Sequence, residues 1–279
     1  MRGDISAGDT IIHAAELEDR CSYAPEISCF LTPAEQMCLW HKVRFPQRLF
    51  FWGGYSGAER RAAVFLPDWA ADQLQSGKAA GWNDTGREAL FRGLIFGTDA
   101  PFDDIPEKIA LLQIDGSGHG ALSHRNILGA LMALGITRQS VGDICVLSDI
   151  SAVAAVTGKL SGYICENLTS AGSDKVQARI AENPAAFAFE RKFEKLSVTV
   201  ASMRLDGIVS AVTGLSRAKS AEHIAAGLVQ ISGISVTECS AEASVGETIT
   251  VRGYGKFLID SESGLTRKSR IRLNINKYV

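Results

Sequence analysis

Three cations between residues 204 and 219 have the types and spacing of a phosphate-binding surface. Arg204 precedes a segment whose apolar residues recur at helical spacing, and Arg217 and Lys219 open a second segment of this kind. We therefore expect two short helices that bury their apolar faces and turn these cations outward. Guanidinium and ammonium groups bind phosphate oxygens, and such a helix pair suits the irregular phosphate surface of folded RNA.

Serine and glycine residues indicate where these helices begin and end. Ser202 and Ser216 are the expected N-caps, and Gly214 and Gly227 are the expected C-terminal stops. A β-hairpin is expected over 228–237, and another strand follows it. Two helices packed on a small sheet would therefore position the cations.

Charge is distributed unevenly along the chain. The 279 residues carry a formal net charge of -2, but residues 1–190 carry -7 and residues 191–279 carry +5. Arg252 and Lys256 belong to the basic part. We expect a polyanionic partner to meet the C-terminal third. The alternative is that these charges only solubilise a hairpin.

A second candidate RNA contact lies at His124 and Arg125, which follow Ser123 at the start of a predicted helix. Cations are unfavourable in the first turn of a helix by about 0.3–1 kcal/mol, which suggests an anion nearby. The alternative is that Arg125 pairs with a carboxylate such as Asp115 while His124 packs.

A third candidate is the glycine-rich loop 53–57, which lies between two apolar runs. It would present Tyr55 for stacking on a base or ribose, and Arg60 and Arg61 for phosphates. The alternative is a hairpin turn whose charges are solvated.

Metal and enzyme chemistry have weak support in the sequence. Two groups contain ligand-type residues without the spacing of a common site, namely Cys21, Cys29, Cys38 and His41, and Asp99, Asp103, Asp104 and Glu107. The loop 116–120 lacks a nucleotide-binding pattern, and no nucleophile-elbow frame surrounds Ser, His and Asp. We expect no metal, no cofactor, no small-molecule substrate and no catalytic residue, so the protein is not expected to be an enzyme.

Composition places the chain among ordinary globular proteins. It is 46% hydrophobic and 22% charged, which excludes disordered, collagenous and disulfide-scaffold classes. The six cysteines include no C-x-x-C pair and indicate reduced thiols. The longest uncharged stretch, 223–237, is too short for a membrane span, and residues 1–20 lack the order of a secretory signal. We expect a cytoplasmic monomer without a membrane partner.

The order of predicted elements indicates an α+β fold with three parts. Residues 1–105 are expected to form an N-terminal α+β domain that includes a capped helix from Pro33 to about Val43. Residues 106–182 show the order β-α-β-β-α-β of ferredoxin-like sheets. A linker over 183–196 precedes a domain at 197–279, which ends in a basic hairpin.

The two-helix segment is similar to the alpha-L RNA-binding domain, the type named after small-subunit ribosomal protein S-four. The motifs that carry this similarity are Arg204-Leu205-Asp206, Ser216-Arg217-x-Lys219-Ser220, Ile224-x-x-Gly227-x-Val229-x-Ile231-Ser232-Gly233 and Gly246-Glu247-x-Ile249. Ser232 stands where asparagine is usual, and both residues suit a turn.

Longer motifs resemble the YlmH family of bacterial RNA-binding proteins. They occupy 51–61, 122–136, 142–144 and 251–257, and the resemblance runs from about Leu31 to the C-terminus. The departures are a longer stretch from 68 to 106 and Asn126 in place of the usual aspartate. Together, the motifs and the resemblance give the candidate RNA-binding residues Arg204, Ser216, Arg217, Lys219, Ser220, Arg252, Lys256, His124, Arg125, Tyr55, Arg60 and Arg61.

The resemblance also implies a function. It implies a factor that binds ribosomal RNA of the large subunit together with tRNA, in the quality control that adds alanine tails to stalled nascent chains. Members are also linked to cell division. The alternative function is therefore a regulatory adaptor that binds a protein partner through the acidic first 190 residues, with RNA binding secondary.

Overall fold

A computed structural model describes residues 7–70, 85–96, 99–189 and 192–278, which form two compact units divided between Phe189 and Glu190. The described chain mixes helices with antiparallel sheets, as the sequence predicts at this level. Residues 71–84 and 97–98, within the unfamiliar stretch from 68 to 106, lie outside the described residues. None of the described helices is long and apolar enough to cross a membrane.

The first unit begins with a three-stranded antiparallel sheet in the order β1-β3-β2. Its strands are β1 (Glu26–Leu31), β2 (Leu49–Trp52) and β3 (Arg61–Phe65), and its helices are α1 (Ala7–Arg20), α2 (Pro33–Lys42) and α3 (Thr85–Phe96). The predicted capping box of α2 is confirmed, because Thr32 Oγ1 accepts from the backbone N–H of Glu35 while Glu35 Oε2 accepts from that of Thr32.

A second sheet of the first unit has the order β5-β6-β4-β8-β7, and all neighbouring strands are antiparallel. Its elements are α4 (Ile105–Lys108), β4 (Ile109–Gly116), α5 (His124–Ala133), β5 (Val141–Ser148), β6 (Ser151–Thr157), α6 (Ser161–Asn167), β7 (Ser170–Ala171) and β8 (Asp174–Ile180). The first long strand, β4, lies between β6 and β8, and α5 and α6 supply the two crossovers.

The two sheets of this unit share one of its hydrophobic clusters. Phe30 and Trp52 of the first sheet pack in the same buried cluster as Leu111, Cys145 and Val153 of the second. The predicted boundary between 1–105 and 106–182 thus falls inside one compact unit, although each sheet also has a buried hydrophobic cluster of its own. Sequence periodicity reports which residues are buried but not which other element buries them.

The second unit contains a six-stranded antiparallel sheet in the order β11-β10-β12-β13-β14-β9. Its elements are β9 (Phe193–Val200), α7 (Leu205–Thr213), α8 (Arg217–Ala225), β10 (Val229–Ile231), β11 (Ile234–Ser235), β12 (Thr248–Val251), β13 (Gly255–Leu265) and β14 (Ile271–Tyr278). The helices pack their apolar faces on this sheet.

Two details of the second unit differ from the sequence prediction. The linker expected over 183–196 is too long, because β9 begins at Phe193 and pairs with β14 along its whole length. The N-cap of α7 is Arg204 rather than Ser202. The predicted Ser216 cap and the Gly214 stop are confirmed, the latter with φ 75°, where glycine is favoured.

We expect Thr32→Ala to lower the free energy of unfolding by about 1 kcal/mol, because the N-cap acceptor of α2 is lost. Urea denaturation of the full chain measures this change. Thr32→Ser is the matched control, since it retains the hydroxyl and should retain most of the stability. An alanine variant as stable as the serine variant would contradict the capping role.

Candidate nucleic-acid interface

The carboxylate of Asp206, in the first turn of α7, holds two arginines. Its Oδ1 accepts from Arg204 Nε at 3.2 Å, and its Oδ2 accepts from Arg204 Nη2 at 3.3 Å and from Arg217 Nη2 at 3.0 Å. The backbone N–H of Gly207 also donates to Oδ1, at 2.8 Å. One carboxylate thus ties the start of α7 to the start of α8.

The opposite charges of this cluster stabilise the charged forms of Asp206 and Arg204. Burial alone would raise the pKa of Asp206, but hydrogen bonds and positive charge from Arg204 and Arg217 outweigh it and lower that pKa below 3.8. The pKa of Arg204 is raised, mainly by its hydrogen bond to Asp206. Asp206 and Arg204 are therefore both charged at neutral pH, and the cluster contains two guanidinium groups for one carboxylate.

The two arginines face solvent while the carboxylate does not. The side chain of Asp206 is 12% exposed, whereas those of Arg204 and Arg217 are 41% and 59% exposed. Each guanidinium carries five N–H donors, so both retain donors for an incoming group. Asp206 was not among the predicted site residues, although the Arg-Leu-Asp motif contains it.

The remaining residues predicted at the start of α8 divide into exposed and buried. Lys219 is exposed, and its ammonium has no hydrogen-bond or ion-pair partner within the described part of the chain. Ser216 is exposed, and its hydroxyl accepts from the backbone N–H of Lys219 at 3.3 Å. The prediction for Ser220 is wrong, because this residue is 0% exposed and its hydroxyl donates to Ser216 O at 3.1 Å.

A second exposed group lies near the other end of α8. Arg252 and Tyr254 follow β12 and are both exposed. The Tyr254 ring packs edge-on against His223 of α8, with ring centroids 5.8 Å apart. The sequence prediction missed Tyr254, which offers a ring surface beside a cation. Lys256 is half-buried, with its Nζ 4.6 Å from the centre of the Tyr278 ring.

In the first unit, Arg125 lies at the start of α5 and lines a cleft of about 460 Å³. The other polar lining groups include Asn126, Asn167 and Thr169. The alternative pairing of Arg125 is not observed, since Asp115 pairs with Arg179 at 3.4 Å. Arg125 is exposed, and the described residues give its guanidinium no partner.

His124 contributes less charge to this region than its position suggests. Partial burial, and then the nearby charge of Arg138, lower the pKa of His124 below its ordinary value of 6.5. The imidazole is therefore mostly neutral at pH 7. Of the two residues predicted here, Arg125 is therefore the one that contributes positive charge.

The predicted contacts of the glycine-rich loop are wrong. Tyr55 is 2% exposed, and its hydroxyl donates to Asp143 Oδ2 at 2.9 Å. The Arg60 guanidinium donates to the carbonyls of Phe30 and Val141, among others. These side chains join the two sheets of the first unit and are not available to an RNA.

Arg61 is likewise engaged inside the first unit. Its side chain is 12% exposed, and its Nε donates to Gln36 Oε1 at 3.1 Å. Glu88 lies 4.0 Å from its Nη1. Burial lowers the pKa of both Arg60 and Arg61, against the raising effect of the nearby acids. Both arginines have structural partners.

The two groups of metal-ligand residue types are dispersed. Cys21 is buried, with its thiol 3.1 Å from Phe65 O, while Cys38 and His41 are exposed. Asp104 pairs with Lys108 at 2.6 Å. Across the described ranges, no three His, Cys, Asp or Glu side chains are grouped to hold a metal ion.

Comparison with known proteins gives the following similarities. A family model described as "Putative RNA-binding domain in YlmH" matches residues 107–184. The chain is 25% identical over 261 residues to "Ribosome-associated protein quality control protein P2" of Bacillus subtilis (strain 168), covering 91% of this chain and 88% of the relative. The solved structure of "Cell division protein ylmH from Streptococcus pneumoniae" aligns with a TM-score of 0.43 at 16% identity, over 67% of this chain and 99% of that chain.

We expect Asp206→Asn to lower the free energy of unfolding at pH 7 by about 1–3 kcal/mol, because both arginines lose a charged acceptor. The pKa of Asp206 is lowered in the folded state, so this stabilisation is present above pH 3.8 and is lost as the pH falls through the lowered pKa. The difference in the free energy of unfolding between wild type and variant should therefore decrease at acidic pH.

Thermal and urea unfolding at several pH values measure this gap. Asp260→Asn is the matched control, because Asp260 is an exposed aspartate of β13 in the same unit. Equal stability of the Asp206 variant and wild type at pH 7 would show that the cluster contributes nothing to the fold.

Proposed function

We propose, on the premise that its similarities make the chain a member of the YlmH family, that it is a non-enzymatic RNA-binding factor that acts on the ribosome. Its RNA targets in this proposal are ribosomal RNA of the large subunit and tRNA. In this proposal the protein acts in ribosome-associated quality control, the process in which stalled nascent chains receive alanine tails. The place of action is then the cytoplasm, and the protein acts as a monomer without a cofactor.

The main support for the proposal is that the buried carboxylate of Asp206 holds the exposed side chains of Arg204 and Arg217. A carboxylate that holds two guanidinium groups fixes their direction before a ligand arrives. Planar guanidinium forks match phosphate oxygens, and side chains that are already ordered lose less entropy on binding. Lys219, two residues after Arg217 in α8, is a further exposed cation. This arrangement suits phosphates of a folded RNA.

The similarities support this role. The Bacillus subtilis relative is named for ribosome-associated quality control, and the family model is described as an RNA-binding domain. The cleft at Arg125 lies within the matched residues 107–184. We assign the matched region to the ferredoxin-like class and the second unit to the alpha-L class, each with its own contact to RNA.

The mechanism in this proposal is positional. The protein forms and breaks no bond in its substrates, and binding energy from phosphate contacts holds RNA elements in one arrangement. Guanidinium and ammonium groups supply affinity, whereas the shape of the folded RNA supplies selectivity.

A second candidate function is a regulatory adaptor linked to cell division. The net charge of -7 over residues 1–190 and the exposed Leu147 and Ile150 beside the β5–β6 turn favour a protein partner for the first unit. Ribonuclease treatment of an affinity pull-down separates the two functions. An RNA-held complex disperses, whereas an adaptor complex persists.

We expect the Lys219→Ala/Arg252→Ala double variant to bind purified large ribosomal subunits more weakly than wild type. Loss of two phosphate contacts should reduce the slope of log affinity against log salt by about 1.4–1.8. Both side chains are exposed, so the thermal midpoint should stay unchanged. Sedimentation with separated large and small subunits at several salt concentrations measures binding.

The matched control is Lys192→Ala/Lys195→Ala, which removes two exposed cations from the same unit. It should retain the wild-type slope. Wild-type protein that stays in the supernatant at low salt would contradict the ribosome proposal. An equal loss of affinity for large subunits in both double variants would contradict the assignment of Lys219 and Arg252 to the RNA-binding surface.

A further inference from the structure

A small pocket lies beside the cationic surface of the second unit, between α7 and the strands β9 and β14. Its volume is about 180 Å³, and its lining includes Thr199, Ser202, Gly207, Ala211, Arg217 and Arg270. Arg270 was not among the predicted site residues. Arginines that are far apart in the chain thus line the same cavity.

Arg270 is held in place from two directions. Its backbone N–H donates to Thr266 Oγ1 at 3.1 Å, and its backbone carbonyl accepts from the N–H of Thr266 at 2.8 Å, which closes the turn before β14. Its Nη2 donates to Thr199 O at 3.0 Å on the neighbouring strand β9. The rest of its guanidinium remains available at the pocket.

Arg217 is fixed independently, through Asp206 Oδ2 at 3.0 Å. Among the described residues that line the pocket there is no carboxylate. Two guanidinium groups therefore meet a cavity whose described lining contains no residue of opposite charge. An anion in the cavity would interact favourably with both.

Side chains rather than the first amides of α7 would hold such an anion. The first amides of α7 are already used, since the N–H of Leu205 donates to Ala241 O at 2.7 Å and that of Gly207 donates to Asp206 Oδ1 at 2.8 Å. Ser202 is half-buried, and within the described part of the chain its hydroxyl has no partner. It provides a third donor.

The size of the pocket limits the ligand. Sites that enclose a whole small molecule typically measure about 300–1,000 Å³, and this cavity is smaller. It suits one compact charged group that projects from a larger molecule. The donor set of two arginines and a hydroxyl suits the oxygens of a phosphate.

We propose that this pocket binds one backbone phosphate of the RNA, between the guanidinium groups of Arg217 and Arg270, with the Ser202 hydroxyl as a further donor. The inference rests on the proposed function and extends it to the hairpin β13–β14. Arg270 then binds a defined phosphate, whereas other cations near the end of the chain add only to the general charge.

Binding of the full chain to purified large ribosomal subunits at several salt concentrations tests this proposal. Arg270→Gln should weaken binding by about tenfold and reduce the salt slope by about 0.7–0.9. Arg272→Gln is the matched control, because Arg272 is an exposed arginine two residues after Arg270, in β14, and does not line the pocket. It should have a smaller effect. Arg270→Lys should retain the slope, because it keeps the charge.

A second measurement does not depend on the ribosome. Titration of the full chain with inorganic phosphate, followed by NMR of the arginine Nε–Hε groups, should shift the Arg217 and Arg270 signals together and saturate. Arg270→Gln should abolish the shift of Arg217. Absence of a shift in wild-type protein would overturn the pocket as a phosphate site.

The outcomes separate the two proposals. Equal losses of ribosome binding in Arg270→Gln and Arg272→Gln would overturn the pocket and leave the ribosome function standing. Phosphate shifts in a wild-type protein that does not bind large subunits would overturn the ribosome function, together with ribosomal RNA as the source of the phosphate. Phosphate shifts together with an effect specific to Arg270→Gln would support both.

Discussion

The carboxylate of Asp206 determines how the cationic surface of the second unit is built. It is largely buried, and a buried charge is destabilising unless it is paired and hydrogen-bonded. Arg204, Arg217 and the backbone N–H of Gly207 meet that requirement. The same contacts that satisfy the carboxylate also join α7 to α8 and direct two guanidinium groups outward. In the proposed function, fold stability and RNA binding therefore depend on the same ion pairs.

The first unit uses a carboxylate in a different way. Asp143 of β5 accepts from the hydroxyl of Tyr55 and from the backbone N–H groups of Glu59 and Arg60. It holds the loop of the first sheet against the second sheet, and the Arg60 guanidinium donates to carbonyls nearby. Exposure distinguishes the two carboxylate-centred clusters. The Arg60 guanidinium donates its hydrogen bonds within the fold, whereas the Arg217 side chain is exposed and retains N–H donors for a ligand.

Local features of the fold were predictable from the sequence because their causes are local. The capping box at Thr32, the cap at Ser216 and the stop at Gly214 each depend on residues within one turn. Helical spacing likewise located α7 and α8. The true cap of α7 was missed because Ser202, although a favourable residue type, precedes the turn where the helix begins.

The site was only partly predictable, because its critical contacts join residues that are distant in sequence. Periodicity placed Arg204, Arg217 and Lys219 on the exposed side, but nothing local indicates that Thr199 O holds Arg270. Tyr55 and Ser220 have residue types that bind RNA when exposed, and tertiary packing buries both. Residue type and local pattern cannot distinguish an arginine that joins two sheets from one that meets a ligand.

Hydrogen exchange of the full chain, alone and bound to purified large ribosomal subunits, tests the central claim most directly. If the surface organised by Asp206 binds ribosomal RNA, new protection should concentrate in 202–219 and in the turn 266–270, while β1, β2 and β3 of the first unit are unchanged. Protection confined to the first unit, with 202–219 unchanged in the bound state, would contradict the claim.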